Sequence, residues 1–352
     1  MLDRPVETFS IGFSGDAWFD ETGHARRVAR HLKTNHHEFI VEPDAFALVD
    51  SLVEHYDEPF GDSSALPTYL LSRLTRQHVT VALSGDGGDE LFAGYERFGA
   101  GLWTARYQRL PLAARRLLEQ AVAALPARTA AAPAARIQRV LAKMSLPLAE
   151  GFPRWLMLWT PQEIVSLTGR QPILDPAKRF AELSVNIADP LAALLWYNLS
   201  TYLPDDLLVK TDRMSMAHGL EVRSPFLDTE LLEWALRLPR SLQWRGQRGK
   251  WLLRQAYRDI LPADILNRPK HGFGVPLDAW FRGALRPLLE DLLLPPESRL
   301  ASWLDRRSVA ELCRAHWNKT RNAGHQLWSL LTLELWLRNQ TAASIPAREI
   351  AQ

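Results

Sequence analysis

Cysteine is almost absent from this chain: there is one, Cys313, in 352 residues. A single thiol excludes an internal disulfide and any cysteine-rich metal site, and it fits a reducing compartment. Charge of one sign is missing too. The 42 Lys and Arg nearly balance the 40 Asp and Glu, leaving a formal net charge of +2, so no basic field argues for nucleic acid as a partner. The 10 histidines show no His-x-x-x-His spacing. The adjacent His36 and His37 open a strand and so point to opposite faces, and no zinc site is expected. No apolar run reaches the ~20 residues of a membrane span. The first residues, Met1–Thr8, carry no apolar stretch of signal-peptide length. These absences predict a cytoplasmic protein with no membrane partner.

What is present is an ordinary globular composition, 47% hydrophobic and 23% charged. The first hundred residues alternate in type. Val6–Phe13, His37–Val41 and Val79–Leu83 read as strands. Glu21–Leu32, Ala45–His55 and Leu66–Arg76 read as helices, the first with Ala25, Val28, Ala29 and Leu32 on one face. Strands separated by helices predict a parallel α/β sheet over residues 1–100. From 101 to 340 no further strand pattern appears. Leu191–Leu203, Leu231–Leu236, Trp251–Ile260, Trp280–Leu293 and His325–Arg338 all read as helices, with the 13 tryptophans taken as core. The polar tail after Asn339 is expected to fray.

The densest motif is Ser84–Tyr95, Ser-Gly-Asp-Gly-Gly-Asp-Glu-Leu-Phe-Ala-Gly-Tyr, directly after an apolar run. Its glycines let backbone approach a ligand closely, and Asp86, Asp89 and Glu90 are expected to point carboxylates at one place. Such a turn at the carboxyl end of a parallel strand suits a nucleotide with its metal. Helix-dipole charges alone account for Asp89 or Glu90 but not for the glycine run before them. Three further segments stand out. In Leu203–Asp228, Glu221, Arg223 and Asp228 read as a buried salt-bridge network, while Lys210 and Arg213 suit either such a network or a ligand anion. In Gly246–Gln255, Lys250 opens a helix, where an anion in front of it would make a cation easier to explain, but taken alone a surface lysine is the better reading. Arg268–Leu277 reads equally as a tight loop or a substrate-side lid. Gly61-Asp62-Ser63-Ser64 imitates a phosphate loop, but no strand precedes it, and Asp62 or Ser63 as a helix N-cap is the better reading.

Taken in order, these segments resemble the synthetase half of glutamine-dependent asparagine synthetases. The markers are TFSIGF, SGDGGDELFAGY, LPDDLLVKTDRMSMAHGLEVRSPFLD, GKWLLRQAY and PKHGFGVPL. The resemblance implies an ATP-pyrophosphatase-type fold (adenine nucleotide alpha hydrolase-like, Rossmann-like), followed by an all-helical region within one unit over 1–340. It implies ATP and Mg²⁺, activation of a carboxylate as an acyl-adenylate, and attack by ammonia derived from glutamine. The acceptor would be aspartate, giving asparagine, with another carboxylate such as a surface-glycan or exosortase-cluster substrate as the alternative, and a non-catalytic scaffold as a third reading. By position, Ile11, Ser84, Gly85 and Gly87 would bind the nucleotide, Asp89 the metal, and Asp86 and Lys250 would serve the chemistry. A homodimer stays open. Two departures bear on this. Residue 2 is Leu2 where the family carries a nucleophilic Cys, and the family's Ser-Gly-Gly-x-Asp-Ser loop after its first strand is absent. A truncated copy is therefore expected, with two strands left without the partner they should share.

Overall fold

The computed structural model describes residues 4–13, 20–41, 48–124, 133–268, 272 and 274–340. Strand β1 (Glu7–Phe13) buries its carboxyl-terminal end, Ile11–Phe13, in the core. Helix α1 (Thr22–Leu32) follows. Asp20 starts it by accepting from the Thr22 N–H at 3.0 Å and the Thr22 hydroxyl at 2.7 Å. The helix stops at Lys33, which turns left-handed at φ 56°. The chain then returns as β2 (Asn35–Val41), parallel to β1 from Glu7↔Asn35 to Phe13↔Val41. Helices α2 (Val49–Glu54) and α3 (Ala65–Thr75) lead to β3 (Val81–Leu83) and to the short helix α4 (Gly88–Leu91). The opening residues of the expected helix Ala45–His55 lie outside the described residues, as does the tail after Asn339 apart from Gln340.

The parallel pairing is as expected, but the strands of residues 1–100 do not join into one sheet. The described strands form two separate pairs, β1–β2 and β3–β4, where β4 is Glu221–Arg223 in parallel register with Val81–Leu83. Three residues are too few to show a two-residue alternation, so β4 was invisible to pattern reading. It forms because the turn after Met216 delivers this segment beside β3: Glu221 N–H donates to Thr80 O at 3.0 Å, and Ser84 N–H to Arg223 O at 2.9 Å.

The rest is helical. The expected helix over Trp280–Leu293 is two, Leu277–Arg282 and Arg286–Leu293, parted at Gly283. The expected Leu191–Leu203 is a helix Pro190–Ser200, followed by one π-helical turn, Leu203–Leu208, that begins next to Pro204. Ile11, Phe13 and Val41 share the largest core with Leu52, Leu66 and, from the carboxyl-terminal helices, Phe281 and Trp328. A second core gathers Phe98, Phe152, Phe180, Leu191, Leu194 and Leu195, and a third holds Leu91, Phe92 and Ala235. Residues 91–98 thus plug into two cores at once, which anchors the acidic turn just ahead of them. Among the described residues, no helix is long and apolar enough to cross a membrane.

Candidate functional site

The turn after β3 spreads its carboxylates in three directions, correcting the expectation that they converge. Asp86 accepts from the Ser84 hydroxyl at 2.9 Å and from the Thr211 hydroxyl at 3.2 Å. Asp89 pairs with the Lys250 ammonium at 2.9 Å. Glu90 is buried away from both and receives the Tyr95 hydroxyl. Burial pushes the Glu90 carboxyl up, a shift only partly offset by Tyr95, and burial beside Glu90 pushes the Tyr95 hydroxyl up as well. The Arg97 guanidinium stacks on Tyr95 at 3.7 Å and on Tyr202 at 4.6 Å, and donates to Asn198 Oδ1 at 2.7 Å.

Lys250 does open the helix Trp251–Ala256, and it does so in the left-handed region at φ 55°. That conformation is unusual for a residue with a side chain, and neighbouring backbone holds it. The Lys250 N–H donates to Phe92 O at 2.6 Å. A Cβ on Gly249 would stand 1.7 Å from Ala93 O, so only glycine lets this segment lie against the acidic turn. Two motifs far apart in sequence are thereby pressed together backbone to backbone, which brings the ammonium of one to the carboxylate of the other.

Two cavities meet at Asp89 of this pair, and a third adjoins both. One of about 1650 Å³ is lined by Asp89, Lys250, Arg248 and the tryptophans Trp103, Trp155 and Trp244. Another, of about 1510 Å³, is lined by Ser84, Gly85, Asp86 and Asp89 together with residues of β1 and β3. Ile11 lines a third, of about 460 Å³, which shares Glu21 with the first and Thr8 and Phe9 with the second. The structure therefore brings Ser84, Gly85, Asp86, Asp89 and Lys250 to one place and sets Ile11 in an adjoining hollow. Gly87 faces elsewhere: at φ 87°, a Cβ there would meet the Leu227 side chain at 2.3 Å.

Several earlier readings change. Glu221 and Arg223 form an exposed pair at 2.7 Å rather than a buried network, and Asp228 caps the helix Thr229–Leu236. Lys210 is buried and donates to Asp62 Oδ2 and Ser64 Oγ, each at 2.7 Å, while Arg213 reaches exposed Asp57. Asp62 does cap locally, accepting from Ser64 N–H at 2.9 Å, but its larger role is as the partner of Lys210. Burial pushes the Asp62 carboxyl up, and Lys210 with Ser64 more than reverses it, leaving it below the ordinary carboxylate range. Trp280 and Trp328 are core, but Trp103 and Trp155 are half-exposed on the cavity of about 1650 Å³. Of the Arg268–Leu277 segment, Pro269, Lys270, His271 and Phe273 lie outside the described residues. Sequence reading missed Thr211 and Ser224, whose hydroxyls reach Asp86 and Ser84. Their only signal was their place inside an already charged segment.

A nucleotide suits this ground. The glycine turn sits at the carboxyl end of a parallel strand, where ligands collect in α/β folds, and Gly85 has open space around it. Among the described residues no three His, Cys, Asp or Glu side chains converge as a metal cage. A Mg²⁺ ion would be held by Asp89 together with substrate phosphates, a usual arrangement for this cation.

Comparison with known proteins agrees with the geometry. A family model described as Asparagine synthase matches residues 1–338. Asparagine synthetase [glutamine-hydrolyzing] 1 of Bacillus subtilis is 28% identical over 338 residues, covering 94% of this chain and 52% of that protein. A putative asparagine synthetase [glutamine-hydrolyzing] of Mycobacterium tuberculosis H37Rv is 32% identical over 334 residues, 94% of this chain and 50% of its own length. A Penicillium rubens protein named Amidase chyE is 24% identical over 347 residues, 90% and 49% of the two chains. The chain spans about half the length of the curated relatives it matches. With a family model covering nearly its whole length and the motif residues drawn together at one strand end, the chain belongs to the asparagine synthase family.

Proposed function

We propose that this chain carries the amide-forming reaction of its family on aspartate. ATP and the side-chain carboxylate form an acyl-adenylate and pyrophosphate, and ammonia then displaces AMP to leave asparagine. The observation that supports it best is the Lys250–Asp89 pair at 2.9 Å, held at the end of β3 by backbone contacts on both sides. Negative charge shifts onto the departing pyrophosphate as the adenylate forms. A fixed ammonium stabilises that charge without reorganising, and such preorganised groups are usually the largest catalytic contribution. Mg²⁺, when bound, neutralises phosphate charge. Ser84 and Gly85 bind the nucleotide, with the Ser84 and Thr211 hydroxyls orienting Asp86 toward the reacting carboxylate. Ile11 offers backbone at the adjoining hollow. Ammonia comes from glutamine hydrolysed elsewhere.

The test follows products rather than rate. With ATP, Mg²⁺, aspartate and ammonium, AMP and asparagine should appear in equal amounts, slowly from these 352 residues alone. ADP as product, or AMP release indifferent to aspartate, would sink the reading. One observation favours a second acceptor class. The cavity beside Lys250, about 1650 Å³ and walled by three tryptophans, far exceeds what aspartate needs and is larger than a typical small-molecule site of roughly 300–1,000 Å³. If aryl or other bulky carboxylates release AMP where aspartate does not, that acceptor class replaces aspartate.

A further inference from the structure

Arg97 is a cation held still without an anion. Its guanidinium sits in the corner made by the Tyr95 and Tyr202 rings, whose planes lie 77° apart. A guanidinium has five N–H donors, and among the described residues Arg97 makes one hydrogen bond, to Asn198 Oδ1 at 2.7 Å. Asn198 is fully buried and donates through its own Nδ2 to Leu194 O at 2.9 Å, which fixes Oδ1 toward Arg97. Arg97 Nε is enclosed and finds no acceptor among the described residues. Two carboxyls whose titration feels the guanidinium, Glu90 and Asp206, are both pushed toward the neutral form by burial. A brace between the helices Glu96–Gln108 and Pro190–Ser200 needs no charge, and enclosing one without a counter-ion is costly.

Arg97 also stands at the site already described. It lines the cavity of about 1510 Å³ with Asp86, Asp89 and Thr211. Gly94, next to Tyr95, packs on the Lys250–Asp89 pair so tightly that a Cβ would stand 1.8 Å from Asp89 Oδ1 and 2.4 Å from Lys250 Cε. Tyr95 thus carries the guanidinium over its ring at 3.7 Å and has the Lys250–Asp89 pair against the residue before it. A flat guanidinium, clamped with donors to spare, is suited to gripping a carboxylate through two parallel bonds. We propose that Arg97 selects the acceptor by binding a second carboxylate on the molecule whose first carboxylate is activated beside Asp86. The substrate class is then a short dicarboxylate, and for aspartate the α-carboxylate goes to Arg97. This rests on the amide-forming reading and deepens it. Bulky acceptors with a single carboxylate fit the wide cavity beside Lys250 but leave Arg97 unpaired.

Binding is measured by calorimetry on the full 352-residue chain with Mg²⁺ and α,β-methylene-ATP, which cannot release AMP. β-Alanine is aspartate without its α-carboxylate. It should bind about tenfold or more weakly than L-aspartate, the usual scale for losing a hydrogen bond to a charged group. Arg97→Gln should weaken aspartate by about the same factor and leave β-alanine as it was, so the preference disappears. Circular dichroism checks that the variant folds, and the wild-type comparison needs no variant. Equal binding of the two ligands to the wild type overturns the proposal, and so does failure of aspartate to bind. Arg97→Gln weakening both ligands alike, the mark of a structural brace, overturns it too. AMP release with ordinary ATP separates this site from the reaction. Aspartate-dependent AMP that Arg97→Gln leaves unchanged at low aspartate overturns the role of Arg97 alone. Arg97-dependent aspartate binding with ADP as the product overturns the amide-forming reading and upholds the carboxylate site.

Discussion

Two lysine–aspartate pairs of nearly equal length lie in this molecule, and they differ in how deeply each is buried. Lys210 meets Asp62 at 2.7 Å and also donates to Ser64 Oγ, while Asp62 collects the Ser64 N–H and hydroxyl. Lys250 meets Asp89 at 2.9 Å, and its side chain is 32% exposed against 10% for that of Lys210. An ammonium has three donors. Lys210 spends two of them on buried protein groups. Lys250 spends one, though both lysines border a cavity. The sequence weighted these lysines differently, treating Lys210 as an even choice between structure and ligand and Lys250, taken alone, as a surface residue. The partners reverse that order.

The sharpest way to break the comparison is to remove each cation. Lys210→Met leaves Asp62 and the nearby Asp206 without their counter-charge in a buried place. Urea unfolding should show a loss of about 3–5 kcal/mol, the usual cost of stranding a buried charge. Lys250→Met should cost less than about 1 kcal/mol of stability, because the pair is partly solvated. Its effect belongs in turnover, with AMP release slowed roughly 10²–10³-fold, as for loss of a preorganised electrostatic group. If Lys250→Met unfolds the protein and Lys210→Met only slows it, the assignment of the two pairs is wrong.

A smaller test targets the glycine beside each pair. A Cβ on Gly249 would collide with Ala93 O at 1.7 Å, whereas one on Gly61, next to Asp62, would meet nothing closer than Leu158 at 3.5 Å. Gly249→Ala must push the Lys250 segment off the acidic turn, costing about 1–3 kcal/mol by overpacking and lowering turnover beyond what the stability loss explains. Gly61→Ala should stay within about 0.5 kcal/mol of the wild type. Thermal unfolding alongside AMP release separates the two.

This contrast also marks how far the sequence could be read. Strands β1, β2 and β3, the helices between them and the strand-end position of Ser84–Asp89 were legible, because periodicity and glycine punctuation are local signals. The partnership of Lys250 with Asp89 was reachable only through family resemblance, since no local pattern links residues so far apart. Glu90 was misread because Tyr95, which turns it inward, sits on the next helical stretch and competes for it only in the folded chain. Strand β4 was lost to its length. The half-exposed Trp103 and Trp155 were taken for core because apolar type does not say whether a partner surface is present.

The smallest expected effect is a pH dependence that sets the Lys210 pair apart. Burial, with Asp62 beside it, raises the Asp206 carboxyl to about 7 from the ordinary 3.8. Between these values the folded chain holds a proton that the unfolded chain has released, so stability falls as pH rises from about 4 to 7 and levels off above. Asp62 works oppositely: its lowered value means that the stability it contributes is present above the ordinary carboxylate pKa and lost as pH falls below it. Asp206→Asn should therefore flatten the decline between pH 4 and 7, raising stability at pH 7.5 by on the order of 1 kcal/mol relative to pH 4.5. Glu90, also raised by burial, contributes in the same direction and keeps part of the slope. Urea titrations at the two pH values decide it. An unchanged slope in Asp206→Asn would mean that Lys210 already holds both carboxylates ionised, and the Lys210 site would then be closer in character to the Lys250 site than its burial implies.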